Sequence, residues 1–239
     1  MKIYYDLHVH SCLSPCADDD MTPNNIAGMA KIAGLQVIAL TDHNSCKNCP
    51  AFFEACKKQN VTPIAGMELT TAEDIHLICL FPSLESAMAF DKEVEKKRFL
   101  IKNKPEVFGR QIIMDENDDV IGYEENLLPN ATTLSIEAAF ALASEYGAAA
   151  YPAHIDRDAN GILSTLGTFP DTPPFRCAEL KDVSEYEKLA KKHPVLAQKK
   201  IIASSDAHSL WEISDPVNSF DFEKSDDIAK TLLNHLNGR

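Results

Sequence analysis

Ile3-Tyr4-Tyr5-Asp6-Leu7-His8-Val9-His10 reads as a short apolar strand that runs out into two imidazoles. In extended chain, residues i and i+2 point to one side, so His8 and His10 can offer two donors to a single centre. Ser204-Ser205-Asp206-Ala207-His208 repeats the arrangement after the apolar run 200–204. Between these ends, run 36–41 leads into Thr41-Asp42-His43-Asn44, run 61–67 into Glu68, and run 148–152 into Ala153-His154. Helical patterns separate the runs. Thr22 before Pro23 makes an N-cap with proline at the first helical position, and Gly34 makes a stop.

The alternation predicts βαβ units and a largely parallel sheet. Strands are expected at 3–7, 36–41, 61–67, 75–81, 148–152, 176–180 and 200–204, and helices at 23–34, 49–59, 84–99, 134–146 and 223–237. Carboxylates and imidazoles recur where strands end, which is where a (β/α) barrel builds its active site. Segment 101–130 breaks the rhythm: Gln111-Ile112-Ile113-Met114 and Val120-Ile121-Gly122 flank a polar turn, and so predict a hairpin-containing insertion or lid on a single domain, 1–239. The stretch 156–175, with Gly161, Gly167, Pro170, Pro173 and Pro174, reads as a long loop.

A chain of 239 residues, 45% hydrophobic and 25% charged, has the composition of a globular domain. No stretch approaches a membrane span, and no basic segment followed by an apolar core opens the chain, so a cytoplasmic protein without membrane contact is expected. The net charge of −13 argues against an extended nucleic-acid surface. It leaves room for a phosphorylated small molecule or nucleotide, because bound cations reverse local charge. Seven cysteines, including Cys46-Lys47-Asn48-Cys49, are expected to be thiols rather than a disulfide framework or a thiolate metal site.

Imidazole and carboxylate donors suit Zn, Mn or Fe. More than four such ligands implies several ions, which together polarise a phosphoryl group and lower the pKa of a water between them, so phosphoester hydrolysis follows.

His8-Val9-His10-Ser11, Thr41-Asp42-His43-Asn44, Gly66-Met67-Glu68, Ile75-His76-Leu77, Pro152-Ala153-His154 and Ser205-Asp206-Ala207-His208 together resemble the PHP (polymerase and histidinol phosphatase) family, in that family's order. The resemblance implies a distorted TIM-like (β/α)7 barrel of the α/β class, with three divalent metal ions (Zn, Mn or Fe) at the strand ends and a metal-bridged hydroxide as nucleophile on a phosphomonoester or short nucleotide. It implies that His8, His10, Glu68 and Asp206 hold one metal, His43 and His208 a second, and His76 and His154 a third, with Glu68 bridging. His76 stands near the start of its apolar run, and only the family match places it at the metals. For the acid after the first His pair we take Asp18, with Asp19, Asp20 or Cys16 as alternatives.

Arg157 is the leading candidate to clamp a phosphoryl group, ahead of Arg110, Lys181 and Lys47. Metal-bound water, His154 or His208 is the source of the leaving group's proton. Asp42 and Asn44 fit roles orienting His43 or its neighbours, or local capping. Two rivals remain: an amidohydrolase-like metal-dependent hydrolase, which the His-x-His and late Asp also fit, and a non-catalytic metal-binding regulatory module.

Overall fold

The Thr22 hydroxyl accepts the Asn25 N–H, Pro23 occupies the first helical position, and Gly34 closes the helix at φ 80°. These local choices set the first helix and return the chain to the sheet. A computed structural model of the chain describes residues 2–213, 215–222, 225 and 227–238. In order, the elements are β1 (Lys2–Asp6), α1 (Pro23–Ala33), β2 (Val37–Leu40), α2 (Cys49–Gln59), β3 (Thr62–Thr70), β4 (His76–Leu80), α3 (Leu84–Glu95), α4 (Pro105–Phe108), β5 (Ile112–Met114), β6 (Val120–Tyr123), α5 (Ile136–Glu145), β7 (Ala149–Pro152), α6 (Ile162–Leu166), β8 (Cys177–Leu180), α7 (Tyr186–Lys192), β9 (Lys200–Ala203), β10 (Ser219–Asp221) and α8 (Ile228–Leu236). Of the helix expected over 223–237, residues 223, 224 and 226 lie outside the described residues, and the helix itself begins at Ile228.

A curled six-stranded sheet has the order β10-β1-β2-β3-β4-β7, and β8 and β9 form a parallel pair. Two sets of bonds close the curve into a barrel. Ile155 N–H donates to the Glu179 carbonyl, joining β7 to β8, and Leu7 N–H donates to Ser204 Oγ while Val9 bridges Ala207, joining β9 back to β1. Seven strands therefore surround the axis, with β10 as an antiparallel edge on β1.

The sheet is less parallel than the sequence pattern predicts. β4 runs antiparallel to both β3 and β7. Thr70 pairs with His76, so the intervening turn is far shorter than the dozen or so residues a parallel crossover needs. Three other features depart from expectation. The stretch 156–175 contains α6 rather than loop alone, α7 fills 186–192, and β10 adds an edge that no clear alternation announces.

Alternation along the strands sorts the core into two layers. Ile3, Tyr5, Val37, Ala39, Ile64, Ile78, Leu80, Tyr151, Cys177 and Ile202 pack inside the barrel, closed at one end by Leu232, Leu233 and Leu236 of α8. Ile38, Leu40, Ala65, Met67, Leu77 and Cys79 face outward onto α1, α2 and α3, where Ile26, Phe52 and Phe90 are buried. The segment 101–130 folds as α4 and the β5–β6 hairpin and docks on the barrel rim: Ile112 N–H donates to Cys12 O (2.8 Å), Met114 N–H to Asn48 Oδ1 (3.0 Å), and Thr22 Oγ to Asp118 Oδ2 (2.5 Å).

Gly66 in β3 sits where layers touch. A Cβ there would lie 2.8 Å from Thr41 Cγ2, 2.9 Å from Leu80 Cδ2 and 3.0 Å from the Cys79 carbonyl. Gly66→Ala is therefore expected to lower unfolding free energy by about 1–3 kcal/mol, the usual cost of overpacking, read as a reduced urea midpoint at unchanged slope.

Candidate metal centre

On β3 the inward parity that buries Ile64 also turns Glu68 inward, at the end of the strand where the apolar filling stops. Five imidazoles meet its carboxylate. His76 Nδ1 lies 2.7 Å and His154 Nε2 3.0 Å from Oε1, His43 Nδ1 lies 3.0 Å from Oε2, and the Nε2 atoms of His8 and His10 lie 3.4 Å away. All six residues are buried. Because β4 is antiparallel, His76 at its first position reaches the same rim as residues at the last positions of its neighbours. Asp206 Oδ1 stands 3.3 Å from His8 Nε2 and 3.4 Å from His10 Nε2, and the His208 ring stacks on His10 with centroids 4.3 Å apart. His154 and Asp206 adopt φ of 26° and 50°, the left-handed region that side-chain-bearing residues seldom occupy, so the turns that aim them are held by their surroundings.

Hydrogen bonds on the far ring nitrogens fix two of these imidazoles. His8 Nδ1 donates to Glu179 Oε1 at 2.7 Å. Ser14 Oγ donates its proton to Asp42 Oδ1 (2.7 Å), so toward His10 Nδ1 (3.0 Å) it acts as acceptor. In this assignment both Nε2 atoms carry lone pairs, and they face each other at 3.1 Å. Two lone pairs so placed repel unless a cation lies between them. His43 Nδ1, His154 Nδ1 and Glu68 Oε2 are likewise buried without an aligned hydrogen-bond partner. The donor set and these orphaned atoms fit divalent metal ions.

Without a cation, protons take its place. Burial favours the neutral ring, yet at His10 the bonds to Asp206 and Glu68 outweigh it and raise the pKa to about 9, and Glu68 does the same for His43. Burial also works to raise Glu68, but His76, His8 and His43 hold it well below the usual carboxylate range. A cavity negative enough to protonate buried imidazoles is one that a divalent ion can occupy in exchange for those protons.

Three overlapping groups could each hold an ion: His8, His10 and Glu68; His10, His43 and His208; His43, Glu68 and His76. A cavity of about 260 Å³ opens above them, with Cys16, Pro129, His154, Arg157, Asn160 and Asp206 also in its wall. Arg157 reaches this cavity and donates from Nη1 to Asp206 Oδ2 at 2.7 Å. The other cations named from sequence do not line it: Lys47 pairs with Glu95 and Glu124, Arg110 with Asp19, and Lys181 bonds the Ser205 carbonyl.

Asp18 is not brought to the cluster. It is exposed, and its backbone N–H donates to the His208 carbonyl. The turn that follows His10 instead places Cys16 at the cavity, beside His43, and leaves Asp18, Asp19 and Asp20 in solvent. Asp42 acts on His10 through Ser14 rather than on His43. Asn44 joins elements: its Oδ1 accepts the Thr70 N–H, and its Nδ2 donates to the carbonyls of Leu128 and Asn130. Cys46 and Cys49 are buried against the Gly66 carbonyl, away from the imidazoles. Glu179 and Ser14 are functional residues the sequence reading missed. The signal for Glu179 is a carboxylate inside the apolar run Cys177-Ala178-Glu179-Leu180; Ser14 carries none.

The PHP domain family model matches residues 6–154. Over 97 residues, 40% of this chain, the sequence is 29% identical to DNA polymerase III PolC-type of Thermotoga petrophila, of which the match spans 6%. Two solved structures share the fold. One is a Bifidobacterium adolescentis protein assigned as a metal-dependent phosphoesterase (TM-score 0.59, 15% identical, 98% of each chain covered). The other is endonuclease Q in complex with a 27-mer duplex carrying an abasic lesion at its active site (TM-score 0.58, 19% identical, 88% of this chain and 50% of that one). The chain thus spans about half of the endonuclease and a small part of the polymerase. The endonuclease complex overturns the expectation, drawn from net charge, that an extended nucleic-acid surface is absent. Net charge is a sum over the whole surface, whereas nucleic-acid contact depends on local patches, and a protein of this fold makes it. No described helix is long and apolar enough to cross a membrane.

Glu179→Gln removes the charge that orients His8 while keeping its shape. It is expected to weaken metal binding 10- to 100-fold, measured by competition with a chromogenic chelator, with little change in thermal unfolding of the metal-free protein.

Proposed function

The chain belongs to the PHP domain family, and on that premise we propose that it hydrolyses phosphate esters with divalent metal ions held by His8, His10, His43, Glu68, His76, His154, Asp206 and His208. The observation that carries this reading is the convergence of five buried imidazoles on one buried carboxylate at the floor of an open cavity. Two of the ligand groups overlap at Glu68, whose two oxygens can serve different ions, which supports a centre of more than one ion, and the imidazole–carboxylate donor set supports Zn, Mn or Fe. Ions bound there supply the Lewis acidity that activates water and offsets charge on the phosphoryl oxygens.

The chain's own residues do the rest. Glu179 and the Asp42–Ser14 pair hold His8 and His10 in one orientation, so that little reorganisation remains when substrate enters. Arg157 spends one N–H on Asp206, and its half-exposed guanidinium keeps others for phosphoryl oxygens at the cavity mouth. His154 and His208 line the cavity, and whichever of them is not bound to an ion is the protein group placed to protonate the leaving oxygen. At about 260 Å³ the cavity has room for a phosphoryl group and the first atoms of its leaving group, and the remainder of the substrate lies outside.

Protein stripped with a chelator should release no p-nitrophenol from p-nitrophenyl phosphate or its bis ester, and reloading with Zn, Mn or Fe should restore release. His8→Ala and Asp206→Ala should each lower kcat by about 100-fold or more, and Arg157→Ala should act mainly on KM. Metal-dependent turnover of acyl esters or amides, with none of phosphoesters, would overturn the reading.

A further inference from the structure

The insertion beside the cavity carries a surface that the metal site does not account for. Residues 96–110 hold six of the chain's 23 basic side chains and a single carboxylate, Glu106. Lys96 pairs with Glu93, Arg98 with Glu95 and Glu124, and Arg110 with Asp19. Among the described residues, Lys97, Lys102 and Lys104 make no ion pair. Apolar side chains stand exposed among them: Phe99 at 49%, Leu100 at 79%, Val107 at 65% and Phe108 at 47%. A neighbouring groove of about 460 Å³ is walled by Lys102, Pro105, Arg110 and the 55% exposed Tyr123 of β6, together with Glu124 and Glu125. Exposed apolar groups gathered this densely mark a contact surface.

The surface leads into the cavity. A Cβ on Gly109 would lie 2.0 Å from the Pro15 carbonyl, so the strip lies directly against the loop whose next residue, Cys16, is in the cavity wall. From the other side of the insertion, Pro129 forms part of the same wall.

Unpaired lysines interleaved with exposed aromatic rings match a polyanion whose units also stack. An apolar protein face would leave the lysines unpaired. Continuity with the cavity selects a ligand whose phosphates repeat beyond the one being hydrolysed, which a lipid surface does not present. Resting on the phosphoesterase reading above, we propose that the substrate is single-stranded nucleic acid, with a phosphate at the metal centre and adjoining nucleotides held along Lys97, Phe99, Lys102, Lys104, Phe108 and Tyr123. The lysines neutralise backbone phosphates and the rings stack on bases without selecting among them.

The test is fluorescence anisotropy of a labelled oligothymidylate with hydrolysis-resistant phosphorothioate linkages, titrated with metal-loaded full-length protein over a range of salt. The triple variant K97A/K102A/K104A should bind at least about tenfold more weakly, and the slope of log affinity against log salt should shrink by about 2, the counterions no longer released. Phe108→Ala should weaken binding with the salt slope unchanged. Both variants should hydrolyse p-nitrophenyl phosphate at the wild-type rate. Wild-type hydrolysis without oligonucleotide binding, or binding that both variants leave intact, would overturn this inference and spare the phosphoesterase reading. Oligonucleotide binding by a protein with no phosphoesterase activity would overturn the assignment of the strand as substrate along with that reading. Co-sedimentation with anionic vesicles, or a concentration-dependent dimer, lost in the variants while oligonucleotide binding persists, would assign the strip to a lipid surface or a second copy instead.

Discussion

A carboxylate closed in by five imidazoles, above a barrel packed with aliphatic and aromatic side chains, is a charge almost shut off from water. Glu68 occupies that position, and the geometry around it follows from the need to satisfy it. Rings that approach to between 2.7 and 3.4 Å cannot all donate, because a neutral imidazole has one N–H and His8 and His10 spend theirs on Glu179 and Ser14. The structure answers with cation demand: lone pairs facing one another, orphaned polar atoms, and buried carboxylates kept ionised. Removing one member leaves its partners buried and unpaired, a heavier penalty than loss of a surface pair.

The barrel supplies this arrangement economically. Side chains from β3, β4 and β8 enter by simple alternation, whereas those after β1, β7 and β9 enter from turns just past the strand ends. The left-handed conformations at His154 and Asp206 belong to the second group. A strand end sets direction cheaply but allows only one inward residue in two; a constrained turn adds a donor where alternation would point it away. That division explains how so many ligands meet on one rim of a small barrel.

Much of this was legible in the amino-acid sequence. The seven barrel strands follow from apolar runs, and chemistry at strand ends follows from where those runs stop. His8 and His10, and Asp206 and His208, declare themselves through two-residue spacing. The reversal of β4 was legible only in part: seven residues between runs 61–67 and 75–81, with no helical pattern among them, are too few for a crossover, and this also accounts for His76 standing at the start of its run. The position of Asp18 was illegible, because three adjacent aspartates look alike and the path of the turn after His10 depends on its bonds to Met21, to His208 and to the inserted hairpin. Ser14 was illegible for the same reason, since a hydroxyl that relays a carboxylate's hold on a ring has no local signature. Net charge misled because it averages a basic strip with an acidic remainder.

Asn44 sits one residue beyond His43, at φ 46°, with its amide divided between two structures. Its oxygen holds the end of β3, two residues from Glu68, and its nitrogen holds the two carbonyls that flank Pro129 in the inserted segment. Asn44 therefore links the insertion directly to the turn that aims an imidazole at Glu68, beside the bond from Thr70 Oγ1 to the Pro129 carbonyl. On the proposed roles of the two parts, tension along a ligand held by the insertion would register as misalignment at the metal centre.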